Sequence, residues 1–221
     1  MGLYFGHNRH ISTYSTIKFG LLYNRYAMWD TRQVLSSDDW VVTSQSDIWD
    51  VLHYLLGSTG GDKLRDTGIT YWSNSNGTNI LNFNARGSGV RYYNGVFSSN
   101  RDIFIGWLDS GTYVNYYIEV GNSGLYFNSY ANQTGAAIRA CRSATSSELL
   151  LSDGTACSAY MGNDGKKYRT IKRGSLVFMA DNLAETKYRN GDLITEVTDN
   201  TAWAGLTTGA LCAYNNDWNY V

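Results

Sequence analysis

The residue types in this chain that could do covalent or metal chemistry are few and scattered. The histidines are His7, His10 and His53, and the cysteines are Cys141, Cys157 and Cys212. No His/Cys group has the short spacing that a zinc site needs. Three thiols allow at most one disulfide, and in a reducing compartment none is expected. Asn215-Asn216-Asp217 offers oxygen donors without the spacing of a calcium loop, so no cofactor is expected, with calcium as the one alternative left open. Gly87-Ser88-Gly89 lacks the third glycine and the following helix of a dinucleotide fingerprint. No nucleophile–base arrangement is legible, and the expectation is a protein that is not an enzyme.

What the chain has in quantity is contact chemistry. Between positions 92 and 132 it places Tyr92, Tyr93, Trp107, Tyr113, Tyr116, Tyr117, Tyr126 and Tyr130 among Asn115, Asn122, Asn128 and Asn132. Aromatic faces stack on sugar rings, and carboxamides hydrogen-bond hydroxyls or peptide groups, so these twelve residues are the candidate ligand-binding set. Strand alternation sends neighbours to opposite faces. One of Tyr116 and Tyr117 therefore faces outward, and Tyr126, Asn128 and Tyr130 share a face opposite Leu125, Phe127 and Ser129. The competing reading makes most of these tyrosines core residues or cross-strand hairpin pairs.

Composition agrees with recognition by contact. Of 221 residues only 17% are charged, against a usual ~25%, and 18 Tyr, 23 Gly and 7 Trp stand in their place. This is the mixture of paratopes, and also that of turn-rich β proteins. A formal net charge of −1 argues against a nucleic-acid partner. No stretch reaches the ~20 apolar residues of a membrane span, and the opening residues carry no apolar run of signal-peptide length. Membrane insertion is not expected, and the chain is expected to be made in the cytoplasm. Proline is absent, so turns must rely on Gly, Asn, Asp and Ser.

The elements that must hold the candidate residues are mostly short strands. The one clear helix signal runs over about 44–56: Ser44 or Ser46 can cap it, Ile48, Trp49, Leu52, Leu55 and Leu56 share one face, and Gly57 stops it. Asn94-Gly95 between aromatic flanks predicts a hairpin, and Gly121-Asn122-Ser123-Gly124 predicts another between 113–120 and 125–130. Residues 143–155 read as a linker, and Asn163-Asp164-Gly165 as a turn feeding a strand. Residues 179–183 and 200–206 read as short helices. The fold class is α+β, with short antiparallel strands and long loops.

These pieces resemble one family, the major paralogous domain first associated with Fibrobacter succinogenes, a C-type-lectin-like domain also common in gut-phage tail proteins. Asp164-Gly165, Tyr168, Thr170 and Gly174 match its beginning. Phe178-Met179-Ala180-Asp181-Asn182-Leu183 and Lys187-Tyr188 match next, then Leu206 to Asp217 through Gly209-Ala210-Leu211-Cys212-Ala213-Tyr214. The continuation stands at the other end of the chain: Tyr23-Asn24, Trp40-Val41-Val42-Thr43, Tyr54-Leu55-Leu56-Gly57, Lys63-Leu64-Arg65 and Ile138-Arg139-Ala140-Cys141. The chain thus looks like a circular permutant of one domain, with 17–142 as the family's C-terminal part, 143–155 as the join and 156–221 as its N-terminal part. That predicts residues 17–24 beside residues 212–220. Two departures stand out. Thr43 replaces a family proline, and Ser36-Ser37-Asp38-Asp39 lacks the cysteine that would pair with Cys141.

The resemblance implies a phage tail receptor-binding protein, carried on the virion as a homotrimer among other tail proteins and recognising a bacterial cell-surface glycan or protein. It also implies that 92–132 is a hypervariable region of the kind targeted by diversity-generating retroelements. A bacterial surface adhesin module is the alternative, and an oxidase of the formylglycine-generating type, which shares the fold, is a more remote one.

Overall fold

The computed structural model describes residues 17–48, 60–112 and 114–221. Without proline the chain reverses direction on residues that tolerate left-handed backbone. Among the described residues eight non-glycines have positive φ, and five of them are asparagines: Asn79, Asn82, Asn84, Asn215 and Asn216. Asn is the side chain that adopts this region at least cost after Gly. Turns built this way are tight, and the strands between them are correspondingly short.

The strands are β1 (Leu22–Tyr23), β2 (Val41–Val42), β3 (Val90–Arg91), β4 (Phe97–Ser98), β5 (Ile103–Trp107), β6 (Asn115–Glu119), β7 (Asn122–Asn128), β8 (Ala140–Ser143), β9 (Tyr160–Met161), β10 (Lys167–Tyr168), β11 (Thr170–Arg173), β12 (Leu176–Met179), β13 (Thr195–Glu196) and β14 (Ala210–Cys212). They form small sheets ordered β1-β14-β13, β10-β9, β11-β12-β8-β2, β3-β4 and β5-β6-β7. Every pairing is antiparallel except β13 with β14. Short helices at Arg25–Met28, Gly60–Leu64 and Asn200–Ala204 fill the corners.

One segment ties the sheets together. Gly135, Ala136 and Ala137 bridge in turn to Arg91, Tyr23 and Gly106, and the chain then enters β8. β8 pairs on one side with β2 and on the other with β12. The small residues of 135–137 permit these close backbone approaches: a Cβ on Gly135 would lie 3.0 Å from the Trp203 ring.

Arg139, on this segment, is 1% exposed. Its guanidinium donates to Asn182 Oδ1 at 2.7 Å and to the carbonyls of Asn84 at 2.7 Å, Met179 at 3.3 Å and Phe83. It also lies over the Phe83 ring at 4.5 Å. Burial pulls it down to about 10, so it remains charged at neutral pH. Asn182 in turn donates to the Phe19 carbonyl at 2.7 Å. One buried cation thus joins the 83–84 loop, the end of β12 and the first described residues. Arg91 does the same elsewhere, held between the Phe97 and Trp203 rings and donating to the carbonyls of Gly95, Val197 and Thr198.

The expected adjacency is present. Leu22 pairs with Cys212 and Tyr23 with Leu211, Phe19 N–H donates to the Tyr220 carbonyl at 3.0 Å, and Lys18 reaches the Asn219 carbonyl at 2.7 Å. The 143–155 segment is a loop anchored at both ends. Glu148 accepts from both terminal nitrogens of Arg142 at 2.7 Å, and Asp153 pairs with Lys172 and Arg173. The parts on either side of it share the sheet β11-β12-β8-β2.

Other expectations are corrected. Residues 179–183 are not helical: Met179 ends β12, and 180–183 run as irregular chain with Asn182 and Asp181 engaged in side-chain bonds to Phe19 and Arg169. In the second hairpin the reversal falls at 120–121, and Asn122 to Gly124 already belong to β7, with a bulge between Tyr117 and Glu119. The helix expected over 44–56 is seen only at its start. Ser44 Oγ accepts from Asp47 N–H while the Asp47 carboxylate accepts from Ser44 N–H, a reciprocal cap, and the remainder lies outside the described residues. His7, His10 and His53 lie outside them too. The three cysteines are free.

Replacing Arg139 by Leu leaves three carbonyls and one amide oxygen without donors in a dry interior, each worth ~1–3 kcal/mol when unsatisfied. Urea unfolding is expected to show a loss of roughly 3–5 kcal/mol. A loss below ~1 kcal/mol, the range of surface changes, would remove Arg139 from its central role.

Candidate functional site

The sheet β5-β6-β7 holds seven of the twelve candidate residues and separates its side chains into two faces by alternation. On one face Phe104, Tyr116, Ile118 and Leu125 are buried, with Phe127 packed against the same core. On the other, Tyr117 lies opposite Tyr126 and Ile105, while Asn115 lies opposite Asn128 and Trp107. The Tyr117 and Tyr126 rings stack with centroids 5.3 Å apart and 29° between planes. Such a pair adds ~0.5–1.5 kcal/mol beyond its burial. Tyr126 Oη donates to Asn122 Oδ1, which fixes the exposed end of the stack.

Tyr130 follows β7 and packs against Tyr92 with centroids 6.4 Å apart. Its N–H donates to Asn115 Oδ1 at 3.2 Å. Tyr92, Tyr117 and Tyr130 are half-buried against the larger core, each with one side on protein. Tyr93, Asn122 and Asn128 are exposed, and Asn132 is half-buried.

Three of the sequence candidates are therefore corrected as contact residues. Tyr116 is fully buried, its ring 5.4 Å from Phe104. Trp107 is fully buried and spends its indole N–H on the Tyr23 carbonyl at 2.7 Å. Asn115 is fully buried and serves to place Tyr130. Tyr113 lies outside the described residues. The outward partners Tyr117, Tyr126 and Asn128, and the opposed burial of Leu125, follow the alternation read from the sequence.

Comparison with family models, curated proteins and solved structures returns no match. The site is accordingly read from its own chemistry.

Some residues at this surface escape a reading by type and spacing alone. Glu119, at the end of β6 opposite Asn122, puts one carboxylate beside the rings. Burial first, then the charge of Glu119, raises Tyr117 above the ordinary tyrosine value, and both causes act on Tyr130, where burial again dominates. Arg25 stacks its guanidinium on the half-exposed Trp29 at 3.7 Å, and its N–H donates to the Asn132 carbonyl at 2.9 Å, which joins this pair to the Tyr130 end of the surface. The i, i+4 spacing of Arg25 and Trp29 on a helix was the available signal.

Other reactive groups are spent or buried. Burial pushes Cys212 up to about 12 and Cys141 higher, so both stay protonated and poor as nucleophiles. Asn215 and Asn216 make a left-handed turn closed by Asp217, whose Oδ1 accepts from Asn219 at 2.9 Å. Among the described residues no group of three His, Cys, Asp or Glu could hold a metal.

Two outcomes follow for this surface. Tyr116→Ala is expected to cost ~3–5 kcal/mol in urea unfolding, as other large-to-small core changes do, whereas Tyr126→Ala and Asn128→Ala cost ~1 kcal/mol or less. Equal losses would contradict the division of faces. Because Tyr117 and Tyr130 are raised, the folded chain favours their protonated forms; that stability is complete below pH ~10 and is lost as pH climbs through their folded values. Glu119→Gln is expected to lower both ionisations in an ultraviolet tyrosinate titration; unchanged titration would remove Glu119 from the surface.

Proposed function

We propose that this chain is a ligand-recognition protein, and not an enzyme: the receptor-binding part of a phage tail, in a circularly permuted C-type-lectin-like fold, gripping a glycan or protein on a bacterial surface. The observation that carries the reading is the outer face of β6 and β7. There half-buried, stacked tyrosines stand beside exposed carboxamides on a sheet whose opposite face is locked into a core.

Half-burial is the useful state. A ring with one face on protein is fixed in place and keeps the other face for a ligand, so little side-chain entropy is lost on binding. Asn122 and Asn128 add groups that both donate and accept, suited to sugar hydroxyls or a peptide backbone. The pairing of residues 22–23 with 211–212 supports the permutation, since the family's chain order would run directly across that contact. On this reading the chain acts as a homotrimer with other tail proteins, where repeated copies multiply a weak single-site affinity. The variable-region character of 92–132 belongs to the same proposal. It sets the outward Tyr and Asn side chains as positions free to vary, and Trp107, Asn115 and Tyr116 as positions that are not.

The test is binding of purified, fluorescently labelled chain to intact gut bacteria, with and without capsule. Saturable binding to a subset of strains is expected, with a loss of tenfold or more in the Tyr117→Ala/Tyr126→Ala/Asn128→Ala variant. Wild-type binding by that variant, or no binding to any strain, would defeat the assignment.

A further inference from the structure

Outside the residues assigned to the tyrosine surface lies a cavity of about 190 Å³. Its floor is apolar: Met28, Val34, Leu35, Trp40 and Val42. Four polar side chains stand around it, Gln33, Asp38, Asp109 and Arg189. The volume is below the ~300 Å³ at which drug-sized ligand sites begin, so it admits one ring or one side chain.

The walls are fixed. Gln33 holds a left-handed backbone, φ 60°, that a residue with a side chain adopts only when its surroundings impose it. Here its N–H donates to the Asp30 carbonyl at 2.9 Å and its carbonyl accepts from Arg189 N–H at 2.9 Å. Arg189 also donates to the Leu35 carbonyl at 2.9 Å and pairs with Asp38. Asp109 is set by its own N–H, which donates to the Thr43 carbonyl at 3.0 Å. Among the described residues the Gln33 amide and the Asp109 carboxylate have no hydrogen-bond partner, and both are exposed.

The charges of the lining are partly matched. Asp38 pairs with Arg189, and the charge of Asp109 acts on Arg25, which stands outside the lining. An anion would meet two carboxylates, and a cation would meet the Arg189 guanidinium with Arg25 beyond Asp109, so neither gains a strong field. What remains is an apolar floor with a free amide and a free carboxylate at the mouth. That pattern fits an uncharged amphipathic ring: C–H faces below, hydroxyls at the rim. A carboxylate accepts from two neighbouring hydroxyls, and an amide both donates and accepts.

We propose that this cavity is a monosaccharide subsite for a neutral pyranose, seated over Met28, Trp40 and Val42, with its hydroxyls on Asp109 and Gln33. It rests on the glycan form of the function proposed above. Arg25–Trp29 connects the two regions, since Trp29 follows Met28 of the cavity floor and the Arg25 backbone N–H donates to the Asn132 carbonyl.

The test uses the full chain, labelled with nitrogen-15, titrated with methyl glycosides of neutral hexoses and N-acetylhexosamines, a methyl glucuronide and butylammonium. A neutral glycoside is expected to shift the amides of Val34, Leu35, Val42 and Asp109 saturably. Asp109→Ala and Gln33→Gly should each weaken that binding at least tenfold with the remaining spectrum unchanged, and Tyr126→Ala should leave it as it is. Shifts caused only by the glucuronide or the ammonium, or the absence of any saturable shift at these amides, overturn the subsite. The two proposals fail separately. If cells are bound equally by wild type, Asp109→Ala and Gln33→Gly, and no glycoside shifts these amides, the subsite falls while surface recognition stands. If a hexose is held here and no cell is bound, the subsite stands without the receptor reading.

Discussion

The fold depends on a buried positive charge. Arg139 sits at the middle of the segment that touches nearly every sheet, and its guanidinium gathers the free carbonyls of irregular chain on either side. Short strands leave many carbonyls outside any ladder, and in a dry interior each of these costs free energy unless a donor reaches it. A planar group with five N–H donors meets that need better than any other side chain. Arg91, equally buried, repeats the device beside Trp203, while buried Arg65 lies over Trp72 and donates to the Asp62 and Asn74 side chains instead.

This solution accounts for what the composition leaves out. The chain has no proline and its cysteines are unpaired, so neither ring constraints nor cross-links reduce the entropy of its unfolded state. Stability has to come from the folded side. Arginines with aromatic partners and paired carboxylates supply it, as Arg142 does between Glu148 and Trp40 and Arg169 does with Asp181. Asparagine takes the place of proline at turns by a different route, accepting left-handed backbone where proline would have fixed φ.

Legibility from the sequence followed the range of the forces involved. Local signals read well. Asn94-Gly95 gives a hairpin with Arg91 opposite Phe97, and the alternation over 115–128 separates Tyr116 from Tyr117 and Leu125 from Tyr126. Residues 200–204 form the expected helix because Asp199 caps it, accepting from Ala202 N–H at 2.8 Å. Long-range competition did not read. Apolar 179–183 reads as a short helix, yet Asn182 and Asp181 are claimed by Phe19, distant in sequence, and by Arg169, between β10 and β11. Trp107 and Asn115 belong by type to a binding surface, and only tertiary pairing with Tyr23 and Tyr130 puts them inside. Glu119 and Asp109 carry no mark in their immediate neighbours, and Arg25 only its i, i+4 spacing to Trp29; the sheet register and a helix corner bring them to the surface.

The interior use of arginine has a consequence for recognition. Arg65, Arg91 and Arg139 are buried, and Arg86, Arg142, Arg169 and Arg173 are in ion pairs, so seven of the chain's 18 Lys and Arg side chains are engaged within the fold. A surface of rings and amides then reads shape and hydrogen bonds, and neutral ligands lose nothing by lacking charge. On the proposed recognition role, association would gain little from long-range steering, and residence would have to come from contact. A single patch of a few tyrosines and amides gives modest residence. Repetition of the patch in an oligomer converts each later contact into an intramolecular one, and this raises retention without any change to the surface itself. On the proposed reading, a patch of rings and amides on a scaffold stapled from within suits that arrangement, because its outward side chains could change while the staples stay.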